Sequence, residues 1–455
     1  MIQNKSELTD HGERDARVSL LDIGEHSLAH IHPQQLIDDH LTVDGSVLAV
    51  DGERYDLSTA GDVFIVGAGK GSSALAGALR ERLGDRVTDG VVVEKHGQGD
   101  SVPGIDVYEA GHPIPDDDGR RATQALLELV EAAGADDLVF VCITGGASAQ
   151  LVAPPSDVSV ADLASMTELL LHGGLPIEEI NTVRKHVSTI KGGRLTERIA
   201  PATCVSLIIV DEVAGDPWGP TVPDMTTYDD AIGVLARRNL WERVPASIRS
   251  HLEARHRGEV AETPPPESLT GVPGQTVVLA NATDLCEAAV AGAKKRGFNS
   301  MLLSSVIEGE SRTVGTVLAS IAKEIRHHDR PIEPPCVVVS GGETTVTISD
   351  EAGTGGPNQE LALQFAVDAA ELPGVALLAL GTDGTDGPTD IAGGLVDGTT
   401  ARRARENDID LFSHLTGHDT SPALAELGDA VLTGATGTNV MDLRLLLVTR
   451  ESQKG

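Results

Sequence analysis

The sequence has no long hydrophobic run. Its most apolar stretches, such as CVSLIIV and VALLAL, have the length of β-strands and fall short of the roughly 18 residues that span a membrane. The opening segment, MIQNKSELTDHGERDARVSL, is polar and lacks the apolar part of a secretory signal. We therefore expect a cytoplasmic protein with no membrane partner.

Cysteine is scarce, with four among 455 residues, and no two are spaced as a C-x-x-C pair. The four are Cys142, Cys204, Cys286 and Cys336. Most of them lie in or beside apolar strand-like runs, where cysteine behaves as a small hydrophobic residue. Disulfides and cysteine metal sites are therefore not expected.

Positive charge is also in short supply. The 35 lysines and arginines face 69 acidic residues, for a net charge of −34. Such a surface argues against binding to nucleic acid or anionic membranes, which need a positive face. Dense carboxylates with few lysines suit molar salt, where charge repulsion is screened over short distances, so we expect a halophilic archaeal source.

What the sequence does have is a repeated alternation of apolar strand-like runs with helix-like segments, which indicates parallel α/β architecture. The pattern breaks in a stretch rich in proline and charge, near residues 251–275, and then resumes. We predict a Rossmann-like N-terminal domain over residues 1–255, a proline-rich linker over 256–274 and a second α/β domain over 275–455.

The stretch VFIVGAGKGSSALA joins an apolar strand to a helix through a glycine turn that contains Lys70. It lacks the first glycine and the hydroxyl residue of a P-loop, and it matches the dinucleotide fingerprint only in part. Glycines let a ligand approach the backbone, and a helix N-terminus attracts anions. We predict a phosphate site at Lys70, in which the cofactor-binding residues are Gly67, Gly69, Gly71 and Ser72.

A second buried strand ends in CITGGASAQL, which offers hydroxyl and amide groups for an anion. Here we predict Gly145 and Gly146 as cofactor-binding residues and Thr144 and Ser148 as substrate-binding residues. An ordinary glycine turn capped by Ser148 is an equally good interpretation of this stretch.

The stretch NTVRKHVSTIKGGRL concentrates positive charge in an otherwise acidic chain. On a continuous helix, Arg184 and Lys191 would be seven residues apart and share one face. That face suits a carboxylate or phosphate, so both are predicted to bind substrate. A solvated basic face paired with surrounding acid is the alternative.

Carboxylates follow strands at two further places. Asp211 ends one strand, and Asp383 and Asp386 lie in the glycine-rich stretch LALGTDGTDGPTDIAGG. An aspartate can remove a proton from a substrate hydroxyl, and carboxylate oxygens suit Mg²⁺. In the same half, SGGETTV provides Gly341 and Gly342 as further cofactor-binding positions.

Taken in order, these stretches resemble one known family. The motifs VGAGKGSSALA, ITGGASAQL, NTVRKHVSTIKGGRL, GPTVPD, NQELAL, GTDGTDGPTDIAGG and TGTNVMDLRLLLV are similar to those of the MOFRL-type glycerate 2-kinases, a family also labelled hydroxypyruvate reductases. The resemblance covers the chain from about residue 20 onward. It implies a Rossmann-like domain, a MOFRL α/β domain and an active site in the cleft between them.

The resemblance also implies an activity, the transfer of the γ-phosphoryl group of ATP to the C2 hydroxyl of D-glycerate with Mg²⁺ or another divalent cation. Lys70 matches the family's essential glycine-loop lysine, and the essential aspartate is Asp383 or Asp386. Asp386 and Asp211 are the candidate metal ligands. The sequence departs from the family pattern at Pro357, where an arginine usually precedes NQE.

Two other functions remain open at this stage. One is an NAD(P)H-dependent hydroxypyruvate reductase, suggested by the partial dinucleotide fingerprint. The other is a non-catalytic sensor of glycerate or nucleotide, because a fold alone does not assign an activity. The residues leave open whether the phosphate goes to C2 or C3, and whether the protein is a monomer or a homodimer.

Overall fold

The computed structural model describes residues 1–212, 218–255, 257–348 and 352–450. In this part of the chain, none of the helices combines the length and apolar character that crossing a membrane requires. The four cysteines are all buried and none is bonded to another.

The strands are short, as expected for apolar runs bounded by glycine and polar turns. In chain order they are β1 Leu41–Asp44, β2 Val47–Val50, β3 Glu53–Asp56, β4 Val63–Ala68, β5 Asp89–Lys95, β6 Asp106–Ala110, β7 Leu138–Ile143, β8 Thr203–Ile209, β9 Gly274–Ala280, β10 Asn299–Ile307, β11 Cys336–Gly342, β12 Val375–Gly381, β13 Gly393–Asp397, β14 Ala430–Val431 and β15 Asp442–Val448.

Helices follow most of the strands. In chain order they are α1 Lys5–Leu8, α2 Arg14–His30, α3 Pro33–His40, α4 Ser72–Leu83, α5 Asp117–Glu131, α6 Ala147–Gln150, α7 Val160–His172, α8 Ile177–His186, α9 Arg194–Ile199, α10 Tyr228–Arg237, α11 Ala246–Ala254, α12 Pro266–Leu269, α13 Ala282–Lys295, α14 Ser311–His328, α15 Pro357–Asp368, α16 Thr400–Glu406, α17 Leu411–Thr416 and α18 Thr420–Glu426. A 3-10 helix over Gly84–Arg86 follows α4.

The chain forms two compact units. We call the one formed by Leu36–Val210 and Asp216–Leu279 the N-terminal unit. The other, the C-terminal unit, is formed by Met1–Gln35, Asp211–Gly215 and Ala280–Gly455. Compactness therefore groups the first 35 residues with the C-terminal half, while the domain boundaries at 255 and 274 stay a prediction. Residue 256, in the predicted linker, lies outside the described residues.

The N-terminal unit is built on the parallel sheet that the sequence predicts. Strands β6, β5, β4, β7 and β8 are neighbours in that order and run parallel, and β9 lies next to β8. Helix-covered strands of this kind are apolar throughout, and every residue of β4 and β7 is buried. The order reverses between β4 and β7, which is where open α/β sheets bind ligands.

The sheet of the C-terminal unit corrects the prediction of parallel architecture. Its order is β10-β11-β15-β12-β13-β14, and only β10 and β11 run parallel. The remaining neighbours are antiparallel because β12 and β13 are joined by a loop without a crossover helix, and β15 inserts between β11 and β12. The carboxyl ends of β11 and β12 consequently meet the beginning of β15.

A buried ionic cluster ties α2 to this sheet. The Arg17 side chain is fully buried and contacts Asp397, at the end of β13, and Asp429, whose Oδ1 lies 2.9 Å from Arg17 Nη2. Burial by itself would raise the pKa of Asp397. The charge of Arg17, together with the hydrogen bonds that Asp397 accepts from Thr399, Arg17 and the Glu13 amide, outweighs burial and lowers that pKa to about 2. The Asp397 carboxylate is therefore held ionised inside the unit.

We expect Arg17→Met to lower the free energy of unfolding by about 3–5 kcal/mol, because Asp397 would stay buried without its cation and Asp429 would keep only Arg403. Denaturant unfolding measures this.

Asp397 titrates near pH 2 when folded and near 4 when unfolded, so its stabilisation is present above pH 4 and is lost as the pH falls toward 2. That acid-linked loss should shrink in the variant. Arg402→Met, on the exposed surface of α16, should cost at most about 0.5 kcal/mol; equal losses in both variants would contradict the assignment.

Candidate active site

The two glycine loops of the N-terminal unit meet at the point where the strand order reverses. The amide of Lys70 donates to the carbonyl oxygen of Gly145 over 2.7 Å. A Cβ atom on Gly69 would lie 2.2 Å from the carbonyl oxygen of Thr144, and one on Gly67 would lie 2.3 Å from that of Cys142. The predicted glycines thus let the loops after β4 and β7 pack against each other.

The N-terminus of α4, at the lysine loop, is occupied by the chain's own carboxylate. Glu94 is fully buried and accepts hydrogen bonds from the amides of Gly71 and Ser73, over 3.0–3.2 Å. Burial raises the pKa of Glu94, and the hydrogen bonds that it accepts oppose that rise. The Ser72 hydroxyl donates to the carbonyl oxygen of Val93. Gly71 and Ser72 therefore shape the loop. The Gly71 amide and the Ser72 hydroxyl, which were expected to face a phosphate, donate to groups of this chain.

The Lys70 side chain is only partly buried and passes beside Gly146. A Cβ atom on Gly146, whose φ is +90°, would lie 2.9 Å from the ring of His112 and 3.6 Å from Lys70 Cγ. His112 follows the end of β6 in the segment AGHPIP, and the sequence analysis did not single it out. The tertiary structure thus brings a lysine, a histidine and a glycine loop together.

Polar groups behind these loops are buried without a protein partner. Thr144 Oγ1 and Gln150 Nε2 have no hydrogen-bond partner among the described residues, although Gln150 Oε1 accepts the Gly69 amide over 2.7 Å. A buried polar atom left without a partner costs free energy, and such atoms recur at binding sites.

The basic stretch is not one helix, so that prediction is wrong. Helix α8 ends at His186, and Gly192 and Gly193, with φ of +65° and +86°, precede α9. Left-handed backbone of this kind cannot continue a right-handed helix, so α8 and α9 remain separate. Lys191 therefore lies in the connection between α8 and α9.

Arg184 and Lys191 nevertheless line one small pocket with Ser148 and Ser188. Among the described residues, no carboxylate pairs with either cation. Lys191 Nζ donates to the carbonyl oxygen of Leu151 over 2.6 Å. Burial lowers the pKa of Arg184 to about 10, and burial together with the charge of Arg184 lowers the pKa of Lys191 to about 7. A bound anion would favour the protonated form of Lys191 beside Arg184, so this pocket suits an anionic ligand.

The other two basic residues of the stretch have internal partners. Lys185 Nζ lies 2.5 Å from Asp224 Oδ1. Arg194 donates to the carbonyl oxygens of Lys185 and Ser188. They hold the loop in place, and the pair between Lys185 and Asp224 joins the basic stretch to the GPTVPD segment.

In the C-terminal unit, the carboxylate of Asp386 lies at the N-terminus of α15. Its carboxylate accepts the amides of Asn358 and Gln359, over 3.0 and 2.8 Å, and the side-chain amide of Asn358 over 3.2 Å. Burial raises the pKa of Asp386 to about 7, with a further contribution from Asp442. Both carboxylate oxygens are thus engaged by N–H groups of the helix.

Asp383 occupies a different position in the same loop. It is partly exposed, and its Oδ1 accepts the amide and the hydroxyl of Thr385, each over 2.9 Å. Its charge contributes to the raised pKa of Asp442, whose main cause is burial. Asp383 and Asp442 are therefore neighbouring carboxylates, and Asp383 is the more accessible of the two.

Asp442 lies where β15 meets the ends of β11 and β12, directly between Gly342 and Gly381. Asn358 Nδ2 donates to it over 2.7 Å and Arg444 Nη2 over 2.6 Å. The carbonyl oxygen of the predicted residue Gly341 accepts from Arg444 Nη1 over 3.3 Å. The sequence analysis did not single out Asp442 or Arg444, although both lie in the family motif TGTNVMDLRLLLV.

The donor set of this cluster suits a divalent cation. Asn358 Oδ1 is buried and has no hydrogen-bond partner among the described residues. Asp211 Oδ2 accepts from Asn439 Nδ2 over 3.3 Å, and Asn439 shares a loop with residues that bond to the Asp383 stretch. A cation would offset the repulsion between Asp383 and Asp442, and carboxylate and amide oxygens are the ligands that Mg²⁺ prefers.

Pro357, the departure from the family pattern, occupies the first position of α15. Proline fits there because its missing N–H would have no helical partner. Arg312 of α14 could replace the absent arginine, but it forms an ion pair with Glu360 of α15.

Comparison with known proteins places the chain among relatives of similar length. The model for a domain of unknown function, DUF4147, matches residues 19–253, and the MOFRL family model matches residues 336–442. A glycerate 2-kinase from Pyrococcus horikoshii is 40% identical over 92% of this chain and 94% of its own. A D-glycerate 2-kinase from Thermotoga maritima is 39% identical over 85% of this chain and 90% of its own.

The fold is shared with a solved structure of the same kind. The crystal structure of a glycerate kinase from Thermotoga maritima has a TM-score of 0.81 and 35% identity, and the match covers 95% of this chain and 99% of that one. Relatives named putative hydroxypyruvate reductase, from Agrobacterium vitis, also match, one of them at 38% identity over 85% of this chain and 87% of its own. The chain is therefore a member of the MOFRL-type glycerate 2-kinase family that its motifs resemble.

Proposed function

We propose that this chain is an ATP-dependent kinase that phosphorylates D-glycerate at its C2 hydroxyl, giving 2-phosphoglycerate and ADP. The observation that carries the proposal is the similarity to glycerate 2-kinases along nearly the whole chain. The expected active site in a cleft between the domains stays a prediction.

Lys70 is proposed to bind oxygens of the transferring phosphoryl group. Its position beside Gly146 and His112, where strand order reverses, supports this role. Phosphoryl transfer depends mainly on positioning and charge neutralisation, which a partly exposed lysine ammonium on a rigid loop can supply. The backbone of Thr144, Gly145 and Gly146 completes the loop pair around it.

Asp383 is proposed as the carboxylate that accepts the hydroxyl proton. The C2 oxygen forms a bond to the γ-phosphorus, the bond from that phosphorus to the leaving ADP oxygen breaks, and the hydroxyl proton passes to the Asp383 carboxylate. Asp386 is proposed to position this loop, because its own oxygens are engaged by α15. The choice between the two aspartates, which the sequence left open, thus falls on Asp383.

Asp442 and the side-chain oxygen of Asn358 would hold Mg²⁺ or another divalent cation, with Asp211 as a further candidate. When bound, the cation would neutralise charge on the phosphates. We rank Asp386 below Asp442 as a metal ligand, since three N–H groups of α15 already surround its two oxygens.

The pocket of Arg184, Lys191 and Ser148 is proposed to bind the carboxylate of glycerate. Unneutralised cations and a hydroxyl group match a carboxylate in charge and hydrogen bonding. This would orient the acceptor and exclude molecules without an acid group.

The test of the function is incubation of the purified protein with ATP, Mg²⁺ and D-glycerate in concentrated KCl, followed by phosphorus NMR. A 2-phosphoglycerate signal is the expected result. A 3-phosphoglycerate signal would overturn the position of transfer. Absence of any phosphoester from folded protein would overturn the kinase, and oxidation of NADH by hydroxypyruvate without ATP would establish the reductase instead.

Lys70→Ala should lower kcat/KM by about 10²–10³-fold, because one charge that stabilises the transferring phosphoryl group is lost. Steady-state kinetics measure this, with circular dichroism as the check on folding. Lys323→Ala removes a lysine from the exposed surface of α14 and should leave the kinetics unchanged. Normal turnover in Lys70→Ala would refute the role of this residue.

Replacing Asp383 and Asp386 one at a time by asparagine should distinguish their roles. Asp383→Asn should lower kcat by about 10²-fold or more with the denaturation midpoint retained, since it removes the proton acceptor. Asp386→Asn should lower the free energy of unfolding by about 1–3 kcal/mol, because an NH₂ group would face the amides of α15. A stable but inactive Asp386→Asn, with an active Asp383→Asn, would reverse the assignment.

Affinity for D-glycerate should fall as the pH rises above about 7, where Lys191 loses its proton in the free protein. The anion binds the protonated lysine, so binding at higher pH requires proton uptake. Calorimetry between pH 6 and 9 measures the trend, about tenfold per pH unit at most. In Lys191→Met the affinity should be lower and independent of pH over this range; an unchanged pH dependence in that variant would exclude Lys191 as its source.

A further inference from the structure

We propose that two copies of this chain associate through β10 of the C-terminal unit, whose strands pair antiparallel and join two six-stranded sheets into one. The inference concerns assembly and does not rest on the proposed function. Its starting point is a comparison of the sheet edges in the described structure.

Three of the four edges of the two six-stranded sheets carry features that prevent pairing with another chain. Strand β14 has only two residues. Strand β6 carries the charged residues Asp106 and Glu109. At β9, Gln275 Nε2 donates to the carbonyl oxygen of Val50, so this edge is tied to the small antiparallel sheet. Short edges, charges and covered edges are the usual protections against edge-to-edge association.

Strand β10 is neither short, charged nor covered by another element of the described structure. Its pairing with β11 is regular over Asn299–Leu302 and shifts register between Leu302 and Ser304 and between Ser304 and Ile307. It spans nine residues, NSMLLSSVI, without a charge or a proline, in a chain whose residues are 23% charged. In the described part of the chain it pairs with β11 alone, so the hydrogen-bonding groups along its other edge face away from the sheet. Leu303 and Val306 are 37% and 50% exposed. A long, uncharged edge with apolar side chains favours strand addition.

The charges that flank β10 indicate a second copy as the partner. Lys294 and Lys295 precede the strand at the end of α13, whereas Glu308 follows it. The neighbouring charges have partners in this chain, since Arg296 lies 3.8 Å from Asp22 and Glu310 accepts hydrogen bonds from Thr347. When two identical strands pair antiparallel, the basic end of each lies beside the acidic end of the other. The edge is therefore complementary to itself in charge as well as in backbone hydrogen bonding.

The charge of the rest of the molecule limits where two copies can meet. With a net charge of −34, two copies repel each other over most of their surfaces. A segment that is uncharged in its centre and of opposite sign at its two ends is where that repulsion is least. Pairing there also covers two exposed apolar side chains per copy.

Sedimentation velocity at micromolar concentration tests the proposal. The full chain should sediment at twice its mass of 47.4 kDa. Leu303→Asp with Val306→Asp should raise the dissociation constant by about 100-fold or more, because carboxylates would be buried in the paired edge. Phe412→Asp, at a 71% exposed apolar residue of α17, is the matched control and should remain dimeric. A monomeric wild type, or a double variant that stays dimeric, would overturn the proposal.

A second pair of variants tests the antiparallel arrangement without placing charge in the strand. Glu308→Lys should weaken the dimer several-fold at the lowest salt that keeps the protein folded, because like charges then meet. Adding Lys295→Glu exchanges the two signs and should restore the wild-type dissociation constant. If Glu308→Lys has no effect, or if the exchange does not restore association, the antiparallel pairing is excluded.

Discussion

A buried carboxylate at the beginning of a helix shapes the candidate site in both compact units. Glu94 accepts the first amides of α4, and Asp386 accepts those of α15. The positive end of a helix would otherwise attract an external anion or remain desolvated without a partner. With these amides satisfied internally, each loop becomes a fixed support, and the partly exposed residues nearby, Lys70 and Asp383, are the ones to which we assign roles in the reaction.

This constraint explains the division of roles among residues of the same type. Asp386 and Asp383 are three residues apart, yet one is enclosed by amide donors and the other is held in a local turn by Thr385. The basic residues divide in the same way. Lys185 is neutralised by Asp224, whereas Arg184 and Lys191 meet in a pocket with no described carboxylate partner. Burial and partners, more than residue type, decide which charges can act on a ligand.

Much of the N-terminal unit follows directly from sequence pattern. Buried parallel strands read as continuous apolar runs, and the glycines that end them mark close approaches of backbone, as Gly69 beside Thr144 illustrates. The C-terminal unit was predicted less well, because an apolar run does not reveal the direction of its neighbours. Strand β15 comes last in the chain but lies in the middle of its sheet, and a pattern read along the chain cannot show this.

The sequence by itself determined the α/β class, the family and the short segments that contain the candidate residues, because these depend on local periodicity and on motifs that are contiguous in the chain. Only the tertiary structure decided which of those residues share a site. His112 lies beside Gly146, and Asp442 accepts a hydrogen bond from Asn358. Arg184, in the last turn of α8, shares a pocket with Lys191, which follows the end of that helix. The physical reason is that hydrogen bonding, burial and charge pairing act between groups that are close in space, and segments far apart in the chain supply most of the partners.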